Sequence, residues 1–206
     1  TKLGFKPEYL PLFANIPVSN HFNQLKEIGE GQVENNAIFL IVFGFIHPGA
    51  PIERFAKEVG EYSRKKGVKV VLTLIGRTGG EQNRWAHTWE SEGLKVNILG
   101  EQSSERVSKE LGKATLGIST TPLALAEKSG SIAAMRAHEL PILCIPHTWE
   151  PKDKLNFNTP SGIFDYQTGN FEDCLLSESK VAAENDISVV TKKLTERIKA
   201  INALAD

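Results

Sequence analysis

The chain has 206 residues, enough for one domain with a sizeable core, and its 40% hydrophobic and 24% charged residues are typical of a globular protein. A net charge of −1 provides no basic surface for nucleic acid or for an anionic membrane. Cys144 and Cys174 belong to no paired motif, and no apolar run approaches the roughly 20 residues that cross a bilayer, so we expect a cytoplasmic protein without disulfides. The chain starts at Thr1 rather than at Met, which favours a fragment of a longer protein.

The first 35 residues show little regular pattern. Leu10–Val18 is apolar but is interrupted by Pro11 and Pro17, which favours a connector or an edge strand. From residue 36 onward apolar runs alternate with helical patterns, and they predict strands at Ala37–Phe43, Val68–Ile75, Leu94–Leu99, Ala114–Ser119 and Pro141–Ile145. The intervening helices are predicted to start at Pro51, near Glu81, at Ser103 or Ser104, and at Ser129–Ser131.

The later part of the chain divides into two stretches. Residues 147–186 are loop-rich, and Ile187–Leu204 has the apolar spacing of one helix. We therefore divide the chain into a connector (1–35), one α/β domain (36–186) and a C-terminal helix (187–206).

Strands that alternate with helices through short loops predict an α/β fold: a single Rossmann-like parallel sheet with right-handed crossovers and helices on both faces, in three layers. In such a sheet the loops after the strands converge on one edge, where ligands bind. Here those loops are Gly44–Ala50, Gly76–Gly80, Gly100–Ser103 and Thr120–Lys128.

The most informative stretch follows the fourth predicted strand. Glu127 can accept hydrogen bonds from ribose hydroxyls, while Lys128 and the backbone N–H groups of Ser129, Gly130 and Ser131 can balance a diphosphate. The alternative interpretation is a capped helix with two solvated charges. The position at the ligand edge favours the nucleotide site.

The other edge loops offer weaker candidates. Gly44 allows close approach of a ligand or simply makes a turn, and His47 contacts substrate or is solvated. Arg77 can neutralise a diphosphate, with a solvent-facing arginine as the alternative. Backbone groups at Gly100 and Glu101 could recognise a nucleobase edge.

Several other chemistries lack their motifs. The loop after the first strand lacks the G-x-G-x-x-G spacing of a dinucleotide site, and no G-x-S-x-G nucleophile turn occurs. The five histidines show no paired ligand spacing, so we expect no metal and no cofactor. Trp85 and Trp89, on a predicted helix, are interpreted as packing residues.

Together these segments resemble the C-terminal, donor-binding domain of GT-B glycosyltransferases. The resemblance rests on the turn at Gly44, Leu-Ile-Gly-Arg at 74–77, Asn-Ile-Leu-Gly at 97–100, and Glu127-Lys-Ser-Gly130 followed by Ala-Ala-Met135 and Leu-Pro-Ile142. Leu10–Pro17 resembles the connector from the first domain, and the final helix resembles the one that returns across the domain junction.

The resemblance implies a site for a nucleotide-sugar, most often UDP-linked, without a metal. Glu127 matches the first glutamate of the family's Glu-x7-Glu pattern, but Met135 stands where the second glutamate, which normally holds the ribose, is expected. Either Glu127 or the main chain with Ser131 then contacts the ribose. The loop formed by Thr121, Pro122 and Leu123 would lie beside the sugar.

The leading hypothesis is a donor domain that takes a UDP-sugar, glucose-like, for transfer to a saccharide or lipid-linked acceptor in polysaccharide or glycolipid synthesis. The resemblance implies that an N-terminal domain of the parent enzyme supplies the acceptor site, the catalytic groups and any peripheral membrane contact, so this chain alone would transfer little sugar. A non-catalytic nucleotide-binding module and a sugar-nucleotide epimerase are the alternatives.

Overall fold

The computed structural model describes residues 12–19, 36–148, 160–177 and 187–202. Within these residues six strands form one sheet: β1 (Ala37–Phe43), β2 (Lys69–Ile75), β3 (Lys95–Gly100), β4 (Leu116–Ser119), β5 (Ile142–Cys144) and β6 (Ile163–Asp165). The helices of the same part of the chain are α1 (Ile52–Lys66), α2 (Gln82–Ser91), α3 (Ser104–Lys113), the 3-10 helix η1 (Leu123–Lys128), α4 (Gly130–Ala137), α5 (Phe171–Leu176) and α6 (Ile187–Asn202).

All neighbouring strands are parallel, and their order across the sheet is β3-β2-β1-β4-β5-β6. The chain builds outward from β1 to β3 and then returns to the other side of β1 to add β4. The strand order therefore reverses between β1 and β4. In open α/β sheets this switch point opens a crevice beyond the carboxyl ends of the strands.

Local sequence explains where the elements begin and end. Ile52, Phe55 and Val59 are buried along one side of α1, at helical spacing. The helix ends at Gly67, whose positive φ of 65° lets its N–H reach the carbonyl of Ser63. Ser103 caps α3, since its side chain accepts a hydrogen bond from the N–H of Arg106.

The aromatic face of the sheet is covered by α1, α2 and α5. The Phe55 ring packs against Trp89, Tyr166 and Phe171, with centroids 5.8, 5.3 and 5.9 Å away. Glu58 fastens the β6–α5 segment to α1, because its carboxylate accepts hydrogen bonds from Tyr166 Oη (2.7 Å) and from the N–H of Phe171 (3.0 Å).

The aliphatic face is covered by α3, η1 and α4, and its core is built mainly from Ile, Leu, Val, Met and Ala side chains. The α4 helix approaches β4 at Gly117, where a Cβ atom would lie 2.5 Å from Met135 Sδ. Ser108 and His138 join α3 to the end of α4 through a 2.8 Å hydrogen bond. His138 Nδ1 lies 2.8 Å from the Ala134 carbonyl and therefore carries the proton, so the Ser108 hydroxyl donates to Nε2.

The predicted parallel three-layer α/β fold is confirmed, and the predicted strand bounds agree closely. The structure differs in two places. The stretch predicted to be loop-rich contains β6 and α5, and the loop predicted at Thr120–Lys128 contains η1. The C-terminal helix begins at Ile187 as predicted, but its predicted last residue, Leu204, lies outside the described residues.

Candidate functional site

Glycines end the first three strands at the edge where the loops converge. The N–H of Gly44 donates to the carbonyl of Ile75 (2.9 Å), and the N–H of Gly76 donates to the carbonyl of Gly100 (2.7 Å). Gly44, Gly76 and Gly100 therefore lie side by side across β1, β2 and β3. We call them the glycine row.

Gly44 also faces the helix on the far side of the switch point. It has a φ of +90°, and a Cβ atom placed on it would lie 3.6 Å from Cβ of Ser131. The carboxyl end of β1 and the start of α4 are thus close neighbours. A side chain at position 44 would be conformationally strained and would narrow the space between them.

The start of α4 gathers hydroxyl groups beside the backbone N–H groups of Gly130 and Ser131, whereas the N–H of Ser129, predicted to contact the diphosphate, donates to the carbonyl of Ala126 (3.1 Å). Ser129 is the N-cap, with its Oγ accepting from the N–H of Ile132 (3.4 Å), and this Oγ lies 3.0 Å from Ser131 Oγ and 3.5 Å from Thr121 Oγ1. A Cβ atom at Gly130 would meet nothing within 4 Å, so the first turn is open. Because the first N–H groups of a helix have no intrahelical acceptor, this end suits an anion.

The segment between β4 and α4 holds the other predicted residues. The N–H of Thr121 donates to Ser119 Oγ (3.1 Å), and Pro122 is buried just before η1, which begins at Leu123. Glu127 and Lys128 end η1, the first half-buried and the second exposed. Chain continuity therefore places both next to the Ser129 cap.

Arg77 and Glu101 form a pair of their own. Arg77 Nε lies 2.9 Å from Glu101 Oε2, and the two side chains are 83% and 65% exposed. An ion pair this exposed contributes at most about 1 kcal/mol to stability. The structure brings these two predicted residues together in the loops after β2 and β3.

Phe45 is an exposed aromatic residue at the ligand edge that the sequence analysis did not select. This side chain is 55% exposed, although it directly follows Gly44 at the ligand edge. Its ring packs against Gly79, where a Cβ atom would lie 2.6 Å from Phe45 Cε2. An aromatic residue next to a strand-end glycine was the available signal. His47, which was considered, is half-buried, and its N–H donates to Thr120 Oγ1 (2.8 Å).

Neither a cluster of metal-binding side chains nor a membrane-spanning helix occurs among the described residues. In residues 12–19, 36–148, 160–177 and 187–202, no three His, Cys, Asp or Glu side chains are grouped so that they could hold a metal ion. None of the helices in these ranges is long and apolar enough to cross a membrane.

No protein-family model matches the sequence, and no curated protein matches it. Solved structures do match. A glycosyltransferase from Rickettsia africae is 14% identical with a TM-score of 0.54, over 92% of this chain and 56% of its own. HepE (Alr3699) of Anabaena, in complex with UDP and glucose, is 13% identical with a TM-score of 0.53, over 88% of this chain and 52% of its own.

MnaA of S. aureus, in a structure with UDP, is 10% identical with a TM-score of 0.51, over 92% of this chain and 49% of its own. The chain thus spans about half the length of each of these structures. Similarity at such low identity establishes the fold: this is a Rossmann-like domain like that of GT-B glycosyltransferases.

Proposed function

We propose that this chain is the donor-binding domain of a cytoplasmic glycosyltransferase that uses a UDP-sugar, glucose-like, and a carbohydrate or lipid-linked acceptor. One observation carries the proposal: the open, Ser129-capped start of α4 faces Gly44 across the switch point between β1 and β4. HepE, a structure of the same fold, is in complex with UDP and glucose.

The diphosphate would lie at the start of α4. The N–H groups of Gly130 and Ser131 and the nearby hydroxyls are suitable donors, and Lys128 adds a positive charge one residue before the cap. The absence of a side chain at Gly44 would leave room for the phosphate oxygens beside Ser131. As the bond from the sugar to the β-phosphate breaks, negative charge grows on the leaving diphosphate, and these donors would stabilise it.

The rest of the donor would be held on either side of the diphosphate. In this proposal Glu127 accepts hydrogen bonds from the ribose, Thr121–Leu123 lie beside the sugar, and Gly100 and Glu101 lie near the nucleobase. Arg77 would approach the diphosphate only by leaving Glu101, so we assign it a secondary role. The acceptor and any catalytic base would come from another domain of the parent enzyme.

Calorimetry with UDP, UDP-glucose and GDP-mannose tests the proposal. We expect UDP to bind, and Glu127→Ala to weaken it at least about tenfold, or about 1.4 kcal/mol, because charge-assisted hydrogen bonds to the ribose are lost. The UDP affinity of Glu127→Gln should lie between that of the wild type and that of Glu127→Ala. Glu61→Ala, at an exposed position of α1, is the matched control and should bind like the wild type.

Failure of the folded protein to bind any of the nucleotides would contradict the proposal, and unchanged UDP affinity in Glu127→Ala would remove that residue from the site. Product analysis with the parent enzyme separates the alternatives. Free UDP plus a transferred sugar indicates a glycosyltransferase, while an isomerised donor indicates an epimerase. Nucleotide binding with neither product indicates a non-catalytic module.

A further inference from the structure

Phe45 is an apolar ring held in a fixed position at the ligand edge. The backbone on both sides of it is fastened to neighbouring loops: the N–H of Gly44 donates to Ile75, that of Ile46 to Thr78 (3.2 Å), and that of His47 to Thr120 Oγ1. The Ile46 side chain is fully buried. The exposure of Phe45 is therefore imposed by the fold.

Two neighbouring residues contact the ring. On one side it packs against Gly79, where any side chain would collide with it. The ring of His47 meets it edge-on, with centroids 5.2 Å apart and an interplanar angle of 76°. The ring is thus contacted by Gly79 and His47, while more than half of its surface remains exposed.

The ends of the strands indicate which part of a bound nucleotide could cover the Phe45 ring. From a diphosphate at α4, a nucleoside could extend over the ends of β1, β2 and β3, or over those of β5 and β6. In the first direction the nucleoside would lie over the glycine row, where no side chain would obstruct a flat group. In the second direction no glycine directly follows the strands: β5 is followed by Ile145 and β6 by Tyr166, and both of these side chains are buried in the core.

We propose that Phe45 is a stacking surface for the nucleobase of the donor. The inference rests on the proposed function, because it takes the diphosphate to be at α4. Aromatic side chains bind bases through their π-faces with little regard to base identity. Phe45 would therefore supply affinity, and the groups at Gly100 and Glu101 would supply the preference for one base.

Calorimetry with UDP and with inorganic pyrophosphate tests the stacking. Phe45→Ala should weaken UDP binding about tenfold, which corresponds to about 1.4 kcal/mol, and should leave pyrophosphate binding unchanged. Phe45→Tyr should restore UDP binding, since the π-face is kept. Leu176→Ala, which removes another exposed apolar side chain at the far end of α5, is the control.

Fluorescence of Phe45→Trp gives a second measurement that does not depend on truncation. UDP should quench the new indole relative to the wild-type background, while saturating pyrophosphate should not. Unchanged UDP affinity in Phe45→Ala, or a loss seen only with UDP-glucose, would overturn the base-stacking inference while the proposed function stands. No UDP binding by the wild type would overturn both.

Discussion

The two faces of the sheet are packed in different ways, and the difference separates stability from ligand binding. The aromatic face is filled by large rings centred on Phe55 and fastened by Glu58. The aliphatic face is filled by Ile, Leu, Val, Met and Ala side chains, and Gly117 lets α4 approach β4 closely there. That close approach sets where the start of α4 lies, next to Gly44. Both faces therefore stabilise the fold, and we expect only the aliphatic face to affect the candidate site as well.

Removal of the central ring of the aromatic face should have the largest effect on stability. Phe55→Ala leaves a cavity among three other rings, and we expect the free energy of unfolding to fall by about 3–5 kcal/mol. Denaturant unfolding measures this loss, and Phe13→Ala, at a 39% exposed position, should change stability by less than about 0.5 kcal/mol. UDP affinity of the folded variant should stay unchanged, and a marked loss of affinity would contradict the division between the faces.

A substitution on the aliphatic face should have a smaller effect, but it should change both stability and UDP affinity. Gly117→Ala forces a methyl group against the buried Met135 and should cost about 1–3 kcal/mol of stability. Because the strain displaces α4, UDP binding should weaken as well. Adding Met135→Val should recover part of both losses in a double-mutant cycle.

The control for this variant is Gly80→Ala, where the added methyl group meets nothing within 4 Å. If Gly117→Ala proves as stable as Gly80→Ala, then close packing of α4 on β4 does not position the site.

The smallest effect concerns pH and the link between α3 and α4. Burial lowers the pKa of His138, so the unfolded chain takes up a proton at a higher pH than the folded chain does. The free energy of unfolding should therefore be level above about pH 6.5 and fall below it, by at most about 1.4 kcal/mol per pH unit. In urea unfolding, the His138→Gln variant should lack the part of this fall that is due to His138. His87→Gln, at an exposed position of α2, should retain it, and the opposite pattern would refute the assignment.

Much of the fold could be predicted, because long apolar runs such as Ala37–Phe43 and clear helix boundaries such as Gly67 are local signals. The strand order could not, since it depends on the side of β1 to which each crossover returns. The β6 strand was missed because three residues are too few to show a periodicity.

The same distinction applies to the candidate site. The start of α4 at Ser129–Ser131 is visible in the sequence, and in the structure Ser129 is its N-cap. The Arg77–Glu101 pair and the packing of Phe45 on Gly79 were not predictable, because each joins loops that follow different strands.

The segment that contains residues 12–19 is joined to η1 by a hydrogen bond from the N–H of Leu12 to the carbonyl of Glu127 (3.1 Å). A displacement of Leu12 would therefore act on the main chain of Glu127, the residue proposed to hold the ribose. Coupling between two sites acts equally in both directions. A ligand that immobilised Glu127 would therefore also stabilise this hydrogen bond, and loss of the hydrogen bond would weaken the hold of Glu127 on that ligand.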